Sequence, residues 1–274
     1  MSQQIKVKHH FLPEVYLKGF SIEGSDELFV MNKKWGKISP KHPAQIMYEK
    51  HLYTIDGFGN PQMIEDFYSE LENELSDAFE LIEYLRKNAG AYRALKDSVE
   101  FHKLIKVVVA FQFWRAPAQN ELAKNYADNL IELFSELSEQ TKSTIDFDEQ
   151  FIKYLHANRH IESHLKLIQH MVLPVVTFKV YDDSYIDFYF YVTNKDDGLV
   201  LTCDNPVVFD SLDDLFDFKR FMFPLSKNVV LGSGSIDSTF NISDFNAVIV
   251  KQASDRIVGA SEWMLKKCSD TLGN

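Results

Sequence analysis

A guanidinium on a helix face that ought to be apolar is the first chemistry in this chain that needs explaining. In SVEFHKLIKVVVAFQFWRAP, residues 98–117, Phe101, Leu104, Ile105 and Val108 recur at helical spacing, and the next members of that inward face are Phe111, Gln112 and Arg115. A buried guanidinium is costly without a counter-charge, so a carboxylate or a bound anion must meet Arg115. Glu65 and Glu72, at the margin of the preceding helix's apolar stripe, are the obvious partners. Paired with Arg115 they would be structural; left free beside it they would be candidates for general acid and base.

Two other polar concentrations stand out. In LVLTCDNPVVF an apolar strand runs straight into Asp204-Asn205-Pro206, and the proline keeps the residue before it extended. The Asp and Asn side chains either make a turn of their own or present a carboxylate and an amide to a pocket. In HHFLPEVYLKGF, residues 9–20, Pro13 stops a helix from extending backwards, and Tyr16, Leu17 and Phe20 look like docking residues. His10 has neither job. His156, His160, His164 and His170 are spaced suggestively but lack the acid-bearing pattern of a zinc site, so no metal is assigned to them. No cofactor is called for, with a divalent metal left open.

The elements that must position these groups fall into regions without repeats or linkers. DELFVMNKKWGKIS reads as a hairpin. GFGNPQ offers Asn60 as a cap and Pro61 as the first residue of a long amphipathic helix marked by Ile64, Tyr68, Leu71, Leu75, Ala78, Ile82 and Leu85. A second helix starts at Asp97, with Glu100 completing a capping box, and stops near Pro117. Residues 118–140 and 148–172 read as two more helices. PVVTFKVYDD, DFYFYVTN, GLVLTCDNPVVF and FMFPLSKNVVLGSG read as strands, and a last helix runs from about Ser243 to Lys267. The expectation is an α+β protein folded as one domain over residues 1–274. Its helical middle, about 61–172, packs on a mainly antiparallel sheet that the amino-terminal hairpin shares with the strands of 175–233, ahead of the carboxy-terminal helix.

With 274 residues, 45% of them hydrophobic, the chain can build a sizeable core. The amino terminus lacks the apolar run of a signal peptide, LIKVVVAFQFW is too short to span a bilayer, and the two cysteines, Cys203 and Cys268, make no disulfide framework. A cytoplasmic location without membrane partners is expected. The net charge of −11 argues against broad, salt-dependent binding to nucleic acid. Residues 1–50 differ, with eight Lys against five Asp and Glu, and Lys6, Lys8, Lys18, Lys33, Lys34 and Lys37 form a basic edge suited to a local anion.

Six segments together carry a likeness. HHFLPEVYLKGF, YEKHLYT with Glu49 and Tyr53, QFWRAP, TCDNPVVF, FPLSKNVVL and FNAVIVKQASDRIV with Asn246 resemble, in the right order, the bacterial family called domain of unknown function 4238. Leu12, Ala116 and Cys203 stand where that family usually has Val, Thr and Ser. The resemblance implies no agreed activity, but its fixed polar positions fall on His10, Glu49, Gln112, Arg115, Asp204 and Asn205. With Glu72 these make a set suited to cleaving a phosphate ester. His10 would be the acid or base and Asp204 would orient it, while Arg115 and Gln112 would stabilise developing negative charge. The four groups His10, Gln112, Arg115 and Asp204 should therefore converge.

A rival lies in RHIESH, where Arg159 and His164 resemble the Arg-x4-His signature of the HEPN ribonucleases, carried on a helix. Two classes of function follow. One is a hydrolase of phosphodiesters or nucleotides, nuclease-like and suited to bacterial defence, acting on a phosphate-bearing small molecule or a nucleic acid. The other is a non-enzymatic sensor or interaction protein whose polar cluster is architectural. A catalytic site should open on a cleft, whereas an architectural network should be sealed and hydrogen-bonded.

Overall fold

A computed structural model describes residues 5–88, 95–178, 180–181, 185–193, 198–234 and 241–272. Strand β1 (Lys8–His10) leads into the short helix α1 (Glu14–Lys18), which Pro13 starts. The expected hairpin forms as β2 (Leu28–Asn32) and β3 (Ile38–Lys41), and β4 (Tyr48–Lys50) returns to pair with β1, placing His9 opposite Glu49 and His10 opposite Tyr48. Helix α2 (Met63–Lys87) is the long amphipathic one; it begins two residues after the expected Pro61, and Asn60 shapes the turn ahead of it, its side chain accepting from the Gln62 amide at 2.9 Å. Of its expected stripe, the side chains of Ala78, Ile82 and Leu85 lie outside the described set, as does that of Cys268.

Helix α3 (Val99–Arg115) is capped by Ser98, one residue after the expected Asp97, and its chain turns extended at Ala116, before Pro117. Gln112 and Arg115 are buried as expected, but so are Lys106, Val109, Phe113 and Trp114, so the last two turns are enclosed on every side. The two helices expected over 118–140 and 148–172 are each broken. The first becomes α4 (Asn120–Asp128), α5 (Leu130–Ser135) and α6 (Glu139–Thr144). The second becomes α7 (Glu149–Ala157) and α8 (Glu162–Leu167), followed by a π-helical turn over Ile168–Val172.

The strand expected from Pro174 is instead helix α9 (Leu173–Thr177), which continues directly from the π turn. Pro174 sits at this join, in the first turn of α9, with a fixed φ that suits a helix. The first late strand is β5 (Phe188–Val192), followed by β6 (Thr202–Cys203), β7 (Val208–Phe209), helix α10 (Leu212–Phe216), β8 (Phe221–Ser226) and β9 (Val229–Ser233). The single closing helix is also corrected. Helix α11 (Ile242–Gln252) ends early, β10 (Arg256–Gly259) follows, and only then comes α12 (Glu262–Leu272).

The arrangement is α+β, with every strand pair antiparallel. One sheet has the order β3-β2-β10-β6, so the amino-terminal hairpin does join late strands, through β10 at the centre. Gly259 allows this close fit: a Cβ there would lie 2.5 Å from Leu201 Cδ2. The other large sheet has the order β5-β9-β8-β7. No helix among the described residues is long and apolar enough to cross a membrane.

Candidate functional site

Arg115 enters the core from the last turn of α3 and meets the amino-terminal segment. Its Nε donates to the Tyr53 hydroxyl at 3.0 Å, and its Nη2 donates to the His10 carbonyl at 2.6 Å and to Glu72 Oε1 at 2.5 Å. Tyr53 donates to the same carbonyl at 3.1 Å, and the Tyr68 ring lies 4.1 Å from the guanidinium carbon. One turn earlier, Gln112 Nε2 donates to the Phe11 carbonyl at 3.0 Å. Two polar side chains of one helix thus grip consecutive carbonyls of the opening segment. Glu72 is the counter-charge that the sequence demanded, whereas Glu65 pairs with Lys6.

Electrostatics fits a closed cluster. Burial pulls the Arg115 pKa down, but the Tyr53 hydroxyl oxygen, the Glu72 carboxylate and the Tyr68 ring face more than offset this and hold the group charged. Burial lifts the Tyr53 and Tyr68 hydroxyls above their ordinary range, so both stay protonated. His170, 3.2 Å from the Tyr68 hydroxyl, is pushed down to about 3 by burial and then by Arg115.

The two adjacent imidazoles do different work. His9 is fully buried, with Nδ1 accepting from the Tyr53 amide at 2.7 Å and Nε2 lying 2.8 Å from the Lys6 carbonyl, which sets its tautomer. Its ring stacks on Tyr53, and this makes His9 the bolt of the segment. His10 sits edge-on to Tyr48; its buried Nε2 has no hydrogen-bond partner among the described residues and lies 3.7 Å from Glu14 Oε1. Burial lowers the His10 pKa, with Glu14 and Glu72 pulling the other way.

These shifts make stability depend on pH. The pKa values of His9, His10 and His170 are all lowered from 6.5, so each binds a proton more readily unfolded than folded. Their contribution is complete above the unfolded value and is lost as pH falls; for His170 the window runs from 6.5 to about 3. Each proton taken up adds a slope of about 1.4 kcal/mol per pH unit. Urea midpoints measured from about pH 7.5 to about pH 5.5 should fall steadily, and less steeply in His170→Gln. Parallel curves for the two proteins would contradict the buried, neutral His170.

Asp204 does not orient His10. Its Oδ1 accepts from the Ser254 amide at 2.8 Å, and its Oδ2 from the amides of Asp255 and Arg256 at 2.6 and 3.0 Å. Burial raises its pKa against the pull of these three bonds. The carboxylate therefore clasps the turn that feeds β10. Asn205 is turned to Gln119, whose Nε2 donates to its Oδ1 at 3.2 Å, while its carbonyl accepts from the Gln252 amide and the Cys203 thiol. The expected convergence is thus partial: Gln112 and Arg115 reach the backbone of the His10 segment, and Asp204 serves a different one.

Beside Asp204 opens a cleft of about 180 Å³, lined by Phe11, Tyr48, Glu49, Pro117, Asp204 and the 254–256 segment. Five of the segments singled out in the sequence meet there. Strand β4, which brings Tyr48 and Glu49, is bracketed by two left-handed residues that are not glycine, Met47 (φ 52°) and His51 (φ 56°). Each such residue costs about 1–3 kcal/mol, which the surrounding structure must hold in place.

The Arg159–His164 pair is split. Arg159 lies in the turn between α7 and α8, not on a helix, with Nε on Asp128 at 2.6 Å and Nη1 on the His156 carbonyl at 2.8 Å. His164, on α8, has Nε2 3.0 Å from the Tyr154 hydroxyl. His156 lies on the Asp128 carbonyl, and among the described residues no three His, Cys, Asp or Glu side chains gather as metal ligands. The place of Tyr68 and His170 in the Arg115 cluster escaped the sequence reading, although both residues were named there. The one was hidden in an apolar stripe, and the other is turned inward by a π turn that no spacing announces.

Antiparallel sheets, a buried arginine that holds the opening segment to α2 and α3, and a buried aspartate that clasps the turn before β10 define an α+β protein with a candidate ligand cleft beside that turn. Residues 8–262 match the family described as protein of unknown function (DUF4238), and the chain belongs to that family. No curated protein and no solved structure matches it.

Proposed function

We propose that the protein is a non-catalytic binding or sensor protein, in which the Arg115 cluster is architectural and the cleft beside Glu49 and Arg256 receives the ligand. One observation carries this reading. Arg115 is 3% exposed and tied to Glu72, Tyr53 and the His10 carbonyl, and the hollow that it lines with Gln112 measures about 10 Å³. That is room for about one water, not for a phosphate ester.

A second reading, a phosphodiester or nucleotide hydrolase of nuclease type serving bacterial defence, has His10 in its favour. Its buried Nε2 has no hydrogen-bond partner among the described residues, and its ring abuts Tyr48, which lines the cleft. The test is an assay against mixed RNA and nucleotides, with and without magnesium, beside a denaturant titration. No turnover is expected from wild type. Turnover that falls ~10²- to 10⁴-fold in His10→Ala at unchanged stability would overturn the binding reading in favour of the hydrolase. Turnover lost only in Arg159→Ala would favour the ribonuclease pair instead.

A further inference from the structure

Of the four charged side chains that line the cleft, two are already engaged at both carboxylate oxygens. Asp204 holds three backbone amides; Asp255 takes Asn32 on one oxygen and Arg256 Nε on the other. Two groups remain. The Glu49 carboxylate makes no hydrogen bond or ion pair among the described residues, and the two Nη groups of Arg256 have no partner among them. A carboxylate and a guanidinium thus line one cleft without pairing to each other. Phe11, Tyr48 and Pro117 supply an apolar wall of the same cleft. Asp204, held by backbone amides, and Asp255, held by Asn32 and Arg256 Nε, compete for a ligand's cation less freely than Glu49 does.

We infer that the cleft takes a small zwitterion carrying a primary ammonium and a carboxylate, that is, a free amino acid; this rests on the binding reading above. The ammonium would donate to Glu49, and the carboxylate would accept from the forked Nη groups of Arg256, a geometry that guanidinium matches better than ammonium does. An apolar side chain would lie along Tyr48 and Pro117. Size agrees: the cleft, at about 180 Å³ against about 10 Å³ for the hollow beside Arg115, has room for a molecule the size of an amino acid. The left-handed residues on both sides of β4 set the backbone position from which Glu49 reaches the cleft.

The test is a titration of the full chain with the standard amino acids, followed by nuclear magnetic resonance of backbone amides. Methylamine, acetate, inorganic phosphate and a nucleoside monophosphate serve as comparison probes. At least one amino acid should shift the amides of Tyr48, Glu49 and 254–256 and bind at least tenfold more tightly than methylamine or acetate. Glu49→Gln and Arg256→Gln, both surface changes, should each weaken it at least tenfold while the melting temperature holds. Phosphate or the monophosphate binding there more tightly than any amino acid would overturn the zwitterion and keep the cleft as the site. Shifts in no cleft residue with any probe would overturn the binding reading as well.

Discussion

Arg115→Ala should lower the free energy of unfolding by about 3–5 kcal/mol, a large part of the ~5–15 kcal/mol that holds a typical domain together. The loss has several sources. Glu72, whose side chain is 29% exposed, is left without its cation, the His10 carbonyl loses its strongest donor, and the Tyr53 hydroxyl loses a partner. A urea titration reads the effect directly. Replacing both members of the pair, as Arg115→Met with Glu72→Met, should recover much of it, since apolar isosteres of a buried pair are often neutral or better. An Arg115→Ala protein that melts like wild type would remove the architectural role and reopen a chemical one.

The second large effect is expected at Asp204. Asp204→Ala strips the acceptor from three backbone amides at once, and charge-assisted bonds of this kind are worth about 1.5–3 kcal/mol each when shielded. The amides lie at a partly exposed turn where water can replace some of the carboxylate, so a total of roughly 2–4 kcal/mol is expected. Asp204→Asn keeps one acceptor oxygen and should lose less. Hydrogen exchange at residues 254–256 separates this from general loosening: those amides should lose protection before the centre of β9 does. Equal losses in the Asn and Ala variants, with protection unchanged, would mean that the carboxylate is not the clasp.

Much of the frame was legible because it is written in periodicity. The long stripe of α2, the hairpin at 28–41 and the buried polar pair on α3 all follow from spacing alone. Arg115 also announced its need for a counter-charge, and Glu72 supplies it. What escaped depends on partners distant in sequence. Residues 256–259 are only four long and sit between two helices, so their strand character comes from pairing with β2 and β6 rather than from local pattern. Val175 and Val176 favour strands by type, yet here they extend a helix that the π turn aims inward. Asp204 reads as a turn former or a pocket acid, because nothing nearby reveals that its donors come fifty residues later.

The central place of β10 has a consequence for how the protein is made. Residues 28–32 emerge early from the ribosome, but the strand that covers their edge is residues 256–259. At translation speeds of about 5–20 residues per second, that edge waits on the order of 10–45 s for its neighbour. Throughout the wait its backbone donors and acceptors are exposed to any other strand that passes. Crowded synthesis, or arrest partway along the message, would then produce chains that pair with one another through their first hairpin.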